Sequence, residues 1–227
     1  MIRTILFDLD GTLADTEPIH YVAFAEVLRP EGVELSREEY FSRLIGYNDH
    51  DCFDVVLKEN GKDASAAHIE ALMARKAASY QEMIRNRDVM YPGAADFVRE
   101  CAARFPLMIV TGTLRAEAEM ILRRAGLRDL FVDIVAAEDV ERGKPEPDGF
   151  IAALGRLGFL LRQRPAIGPA ESLVIEDTAA GIEAARRAAM RVLALKHTVP
   201  ESDLSGADII RKSFRDIDLD DILRRLT

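Results

Sequence analysis

Residues 2–14 read IRTILFDLDGTLA, and the first six of them, IRTILF (2–7), are a short apolar run closed at once by DLDG (8–11). That pattern predicts a buried strand ending in a tight turn. From residue 91 onward the same kind of strand recurs. PLMIVTG (106–112), Phe131 to Ala136, ESLVIED (171–177) and MRVLALK (190–196) read as strands, and ADIIRKS (207–213) as an edge strand. Between them lie the helical stretches AADFVRECAARF, LRAEAEMILRRAGL, PDGFIAALGRLGF and TAAGIEAARRAA, and DLDDILRRL closes the chain as a short helix. Alternating strands and helices predict an α/β fold: a doubly wound, mainly parallel sheet covered on both faces, with right-handed crossovers.

One segment breaks the alternation. From about 17 to 88 helix formers dominate and apolar residues recur at three-to-four spacing, as in Tyr21, Phe24, Val27 and Leu28. About four helices are expected there. VMYPGA (89–94), with Pro92 and Gly93, marks the return to the sheet. The expected organisation is a core of residues 1–14 and 91–227 with a helical domain of residues 15–90 inserted after the first strand. The insertion then stands over the carboxyl ends of the parallel strands, where open α/β sheets bind ligands.

Composition narrows the partners. The 227 residues include 30 basic and 39 acidic ones, a formal net charge of −9. This argues against nucleic acid, which calls for a basic footprint, but not against a small anion held by a local cluster. Only two cysteines occur, Cys52 and Cys101, so no disulfide framework or thiolate metal site is expected and a reducing cytoplasm fits. The first apolar run is too short, and too soon broken by Asp8 and Asp10, to read as a signal peptide or a membrane span.

The polar residues fall where the strands end. Asp8 and Asp10 are two positions apart, so in extended chain they point the same way. Paired carboxylates repel, and a hard divalent cation such as Mg²⁺ relieves that. Gly11 permits a tight turn, and its N–H with that of Thr12 is placed to hold phosphate oxygens. Thr111 ends PLMIV; alone it reads as an N-cap threonine, but with the N–H groups of Gly112 and Thr113 it also forms a phosphate-oxygen site. Lys144, in RGKPEPD, is by itself a solvated lysine, yet held between prolines it can neutralise phosphate, with Arg142 a weaker candidate. Glu176 and Asp177 end the strand SLVI and supply further metal-binding acids, Asp177 directly and Glu176 through water or behind it. Together these junctions specify metal-assisted phosphoryl chemistry better than any one of them does.

With these motifs in place, the chain resembles the haloacid dehalogenase-like superfamily, and within it the group containing beta-phosphoglucomutase. DLDGTLADTEPIH (8–20), VTGT (110–113), GKPEPD (143–148) and VIEDTAAGIEAA (174–185) carry the resemblance. It implies a Rossmann-like core with a helical cap and Mg²⁺ as cofactor. It also implies Asp8 as the nucleophile that forms an aspartyl-phosphate, and Asp10 as the acid and then the base. Thr111 and Lys144 match the phosphate-binding pair, Glu176 and Asp177 the acidic metal motif, and the Asp10 carbonyl a further metal ligand. The superfamily's dehalogenases and phosphonate hydrolases lack the second aspartate, so Asp10 points away from those reactions.

In the cap, Thr16 and His20 match hinge residues that align the acid/base aspartate, and Lys76 resembles a cap lysine that approaches substrate. The mutase pattern after Gly46 places an arginine on a distal phosphate. Here the sequence is GYNDH, with Asp49 at that place. A bare carboxylate repels a second phosphate unless a cation intervenes. The expectation is therefore a phosphatase for a small phosphorylated metabolite, with Tyr47, Asn48 and Asp49 facing the leaving group, a sugar phosphomutase as the alternative, and a catalytically inactive metal-binding interaction protein as the alternative of another class.

Overall fold

The structure is a computed structural model of the chain and describes residues 1–45, 47–162 and 166–226. The strands are β1 (Thr4–Phe7), β2 (Leu107–Val110), β3 (Phe131–Val135), β4 (Ser172–Glu176), β5 (Arg191–Leu195) and β6 (Ile209–Arg211). Among the described residues they form one sheet in the order β3-β2-β1-β4-β5-β6. Every pair in it is parallel. The first strand is therefore central, the chain order reverses beside it, and a crevice opens at that switch point.

Strand alternation sets the two faces. Ile5, Phe7, Ile109, Leu173 and Ile175 point to one apolar layer, closed by α5 (Ala94–Ala102), α6 (Arg115–Arg124) and α9 (Leu219–Arg225). Leu6, Met108, Val110 and Val174 point to the other, covered by α7 (Asp148–Leu161) and α8 (Ala179–Arg187). The central strands β1, β2 and β4 are buried throughout, which is why they read as continuous apolar runs rather than alternating ones. The expected helices and strands are all present within a few residues of their expected ends.

The inserted cap follows β1. It contains α1 (Glu17–Leu28), a short α2 (Arg37–Glu39) running into a π-helical turn at Tyr40–Leu44, α3 (Asp49–Glu59) and α4 (Ala66–Ile84). Phe24, Leu28, Tyr40, Phe53, Leu57 and Leu72 are members of an apolar cluster formed entirely by cap residues. Ile19, Ala23, Tyr80 and Ile84 instead join the core cluster, so the ends of α1 and α4 seat the cap on the sheet. The two connections run side by side: Asp15 N–H donates to the Val89 carbonyl over 2.7 Å and Tyr91 N–H to Leu13 over 2.9 Å. Among the described residues no helix is long and apolar enough to cross a membrane. Cys52 and Cys101 are free and buried.

Candidate active site

Parallel strands bring their carboxyl ends to one edge, and the cap covers that edge. Between them lies a cleft of about 490 Å³ lined by Asp8, Asp10, Thr111, Gly112, Lys144 and Glu176 from the core, and by His20, Tyr47 and Asp49 from the cap. Residues far apart in sequence meet here because β1, β2 and β4 are neighbours in the sheet.

Asp8 and Asp10 both reach the cleft but have different partners. Lys144 Nζ donates to Asp8 Oδ1 and, over 2.7 Å, to Glu176 Oε1. Burial pushes the Asp8 carboxyl up; Lys144 pulls it down, while Glu176 and Asp10 push it further up. Burial also works on Asp10, yet the hydrogen bond of His20, then those of Thr16 and Thr111, bring it below the usual range. Thr16 Oγ1 donates to Asp10 Oδ1 over 2.6 Å and Thr111 Oγ1 to Oδ2 over 3.1 Å. His20 Nε2 stands 3.2 Å from Oδ1.

The tautomer of His20 follows from its other side. Lys76 Nζ lies 2.7 Å from His20 Nδ1. An ammonium only donates, so Nδ1 accepts and Nε2 carries the hydrogen given to Asp10. The imidazole is also stacked on Tyr80, with ring centres 4.1 Å apart. Lys76 itself is wholly buried and pairs with both oxygens of Asp49, at 2.8 and 2.9 Å. Burial pulls the Lys76 ammonium down, but Asp49 and Glu117 outweigh it and leave it above its ordinary value.

Asp177 is buried behind this front. Thr12 Oγ1 donates to its Oδ1 over 2.5 Å, and Thr198 Oγ1 to its Oδ2. Its carboxyl is pushed well above the ordinary value by burial first, then by Glu176 and Asp8. Glu176 divides its oxygens: Oε1 takes Lys144, while Oε2 accepts the N–H groups of Asp177 and Thr178, at 2.8 and 2.9 Å. Gly181 leaves the room for this, since a Cβ there would stand 1.7 Å from Glu176 Oε1.

Several of the expected residues already have partners within the protein. The Gly11 N–H donates to the Ala14 carbonyl over 2.8 Å and the Thr12 hydroxyl is bound to Asp177. Neither residue lines the cleft. Their visible work is to shape the turn and hold Asp177, because the turn closes on itself rather than opening toward a ligand. Asp49 faces the cleft as expected but is not a bare carboxylate: α4 delivers the Lys76 cation to it. Asn48 caps α3, accepting the Asp51 N–H over 2.9 Å, and packs against Gly112 and Gly143. Tyr47 is 43% exposed at the rim. Gly46 lies outside the described residues. Arg142 is exposed and forks onto Asp148.

Four lining residues were not foreseen: Glu17, Phe24, Tyr40 and Thr178. Tyr40 OH donates to Glu17 Oε2 over 2.8 Å. In sequence Glu17 passes for an ordinary acid in a helix's first turn, and nothing local tells that α1 turns it inward. Glu117 was missed for the same reason. It is buried, accepts from Thr113 Oγ1 over 2.8 Å, and its Oε1 has no hydrogen-bond partner. Burial raises its carboxyl despite the Lys76 cation. A raised acid costs stability once pH passes its unfolded value, so Glu117→Gln is expected to raise Tm at pH 8 by about 2–4 °C, with little change at pH 4.5. Thermal melts of both proteins at the two pH values check this.

Fold and cleft define a Rossmann-like α/β protein with a helical cap over the strand ends. A family model described as haloacid dehalogenase-like hydrolase matches residues 2–189. The chain belongs to that family. It is 33% identical over 217 residues to protein CbbY of Rhodobacter capsulatus, covering 91% of each chain. It is likewise 33% identical to fructose-1-phosphate phosphatase YqaB of Escherichia coli, over 82% of this chain and 92% of that one. A crystal structure of a CbbY variant from Rhodobacter sphaeroides, in complex with xylulose-(1,5)bisphosphate, superposes with a TM-score of 0.83 at 28% identity. That match covers 95% of this chain and 96% of the other.

Proposed function

We propose that this protein is a magnesium-dependent phosphatase that hydrolyses a small phosphorylated metabolite through an aspartyl-phosphate on Asp8. The observation that carries this reading is the division of labour between two adjacent carboxylates. Asp8 sits against the Lys144 cation, and Asp10 sits in the Thr16–His20–Thr111 hydrogen-bond set. A pair held in contrasting environments is the signature of separate nucleophile and acid/base roles.

In the first half-reaction an Asp8 oxygen bonds to phosphorus as the ester P–O bond breaks, and Asp10 passes a proton to the departing alkoxide. In the second, Asp10 takes a proton from water, the water oxygen bonds to phosphorus, and the P–O bond to Asp8 breaks. Asp10 enters as a carboxylate, the form its donors favour, so it must be protonated for the first half. An incoming phosphate supplies that bias. It competes for the Thr111 hydroxyl and adds negative charge nearby, and both effects raise the Asp10 carboxyl. Lys144 offsets charge on the transferring group.

The donor chemistry fits Mg²⁺. Asp8 and Asp177 are buried hard-oxygen groups, each raised first by burial and then by acidic neighbours, with the Lys144 cation beside Asp8. Among the described residues no three His, Cys, Asp or Glu side chains already form a metal cluster. Mg²⁺ typically takes one or two carboxylates and fills its shell with water and substrate phosphate. Asp8, Asp177 and the Asp10 carbonyl would hold it, with Glu176 behind. When bound, it supplies charge compensation that lets an anionic carboxylate approach an anionic phosphate.

Hydrolysis is favoured over mutase chemistry by the partners of the nearby cations. Lys144 pairs with Asp8, Lys76 with Asp49, Arg142 with Asp148 and Arg43 with Glu59. A second phosphate would have to break one of these pairs. The names of the relatives, a fructose-1-phosphate phosphatase and a protein crystallised with a pentulose bisphosphate, support sugar phosphates as the first substrates to test. We assign residues 15–90 to the cap and 1–14 with 91–227 to the catalytic core.

The test is a panel of phosphometabolites incubated with enzyme and Mg²⁺, scored for free phosphate and for isomerised product. Phosphate release from one compound, lost on chelation with EDTA, is the expected result. Isomerisation of a hexose 1-phosphate, stimulated by a bisphosphate, would replace the phosphatase reading with the mutase.

A further inference from the structure

Thr198 belongs to none of the family motifs. It lies in the loop after β5, in KHTVP (196–200), and its hydroxyl donates to Asp177 Oδ2. Thr12, from the first catalytic loop, donates to Oδ1 of the same carboxylate over 2.5 Å. A carboxylate turns freely about two bonds unless both oxygens are held. Here one hydroxyl on each oxygen fixes both its plane and its direction.

The surroundings leave little freedom. Gly11 has φ +77°, and a Cβ on it would stand 2.3 Å from Asp177 Oδ2 and 2.8 Å from Thr198 Cγ2. Asp177 and Thr198 therefore pack directly on the turn that follows Asp10. The Thr198 loop is itself anchored. His197 Nδ1 is 3.1 Å from the Gly11 carbonyl, and its ring stacks on Tyr91 with centres 4.0 Å apart. Tyr91 stands in the connection that returns from the cap, and its N–H bonds to Leu13.

We propose that Thr198 is a positioning residue for the metal: with Thr12 it holds the Asp177 carboxylate in the orientation that ligates a divalent cation. The inference rests on the Mg²⁺ reading above. Groups that orient a ligand in this way typically contribute about 10- to 100-fold to metal affinity.

The experiment is a Mg²⁺ titration without substrate, followed by calorimetry and by the metal-induced rise in Tm. Wild type, Thr198→Val, Thr198→Ala, Thr198→Ser and Asp177→Asn are compared, with circular dichroism reporting the fold. Thr198→Val is expected to weaken Mg²⁺ binding by about 10-fold or more, and Thr198→Ser to stay within about 2-fold of wild type. Should the valine variant fail to fold, the alanine variant must show the same loss. Valine and alanine variants that bind Mg²⁺ as wild type does would overturn the role of Thr198 alone. So would a serine variant as weak as valine, since the hydroxyl would then not be the cause. Absence of saturable binding in the wild type, or its persistence in Asp177→Asn, would remove the metal assignment itself and the inference with it.

Discussion

Asp8→Asn is expected to reduce phosphate release by at least about 10⁴-fold, while leaving the fold intact. The amide has nearly the shape of the carboxylate, so packing is preserved. What disappears is the oxygen nucleophile and the charge that Lys144 faces. The buried site also makes substitution by water poor, since a nucleophile must already stand at attacking distance to be effective. Two measurements separate chemistry from stability: steady-state phosphate release on the compound selected by the panel, and Tm. Asp8 is raised by burial and by its acidic neighbours, so replacing it with a neutral amide relieves repulsion. Tm in the absence of metal is therefore expected to hold or rise. Hydrolysis at the wild-type rate by Asp8→Asn would sink the aspartyl-phosphate mechanism outright.

A comparably large effect on stability is expected at the Asp49–Lys76 pair. Lys76 is fully buried, its side chain 0% exposed, whereas Asp49 keeps 12% at the cleft. The two ends of the pair are thus unequal. Asp49→Asn leaves an ammonium enclosed by Phe24, Tyr80 and His20 without its carboxylate. Orphaning a buried charge costs about 3–5 kcal/mol. For a chain of this size that lowers Tm by roughly 6–20 °C. Lys76→Met should cost less, because the remaining Asp49 turns to solvent in the cleft. Combining Lys76→Met with Asp49→Asn removes both charges, and the double variant should be more stable than Asp49→Asn alone by about 1–3 kcal/mol. Denaturant melts of the four proteins check the sign. Strict additivity of the two changes would show that the ion pair does not couple them.

The same pair alters what Asp49 says about function. An unpartnered carboxylate opposite the reaction centre repels a second phosphate. A carboxylate already matched by Lys76 does not, and the preference for water rests instead on the carboxylate partners of Lys144, Lys76, Arg142 and Arg43. The substitution remains consequential in another way. Lys76 also bonds His20, which bonds Asp10, so the residue at position 49 is linked through three contacts to the acid/base.

Legibility in the sequence followed the range of the forces involved. The strands of the sheet were readable because burial on both faces writes an apolar run into a few consecutive residues, and the helices because one buried face writes a three-to-four spacing. Strand ends were readable too, so Asp8, Asp10, Thr111, Glu176 and Asp177 could be named as neighbours once the sheet was taken as parallel. Lys144, Thr16 and His20 were marked by motif and by family resemblance. Glu17, Tyr40, Glu117 and Thr198 left no comparable mark. Each is an ordinary polar residue of a helix or loop, and only the angle at which its element packs turns it toward the site.

The sequence by itself determined the α/β alternation, the insertion of helices after the first strand and the row of polar side chains at the strand ends. These are local patterns, encoded in residue type and period. The tertiary structure decided which charges meet. Lys76 and Asp49, 27 residues apart on two cap helices, form a buried pair. Thr12 and Asp177, 165 residues apart, form a buried hydrogen bond behind the cleft. Such contacts depend on the packing of whole elements, and an electrostatic interaction of a few ångströms cannot be read until that packing brings its two ends together.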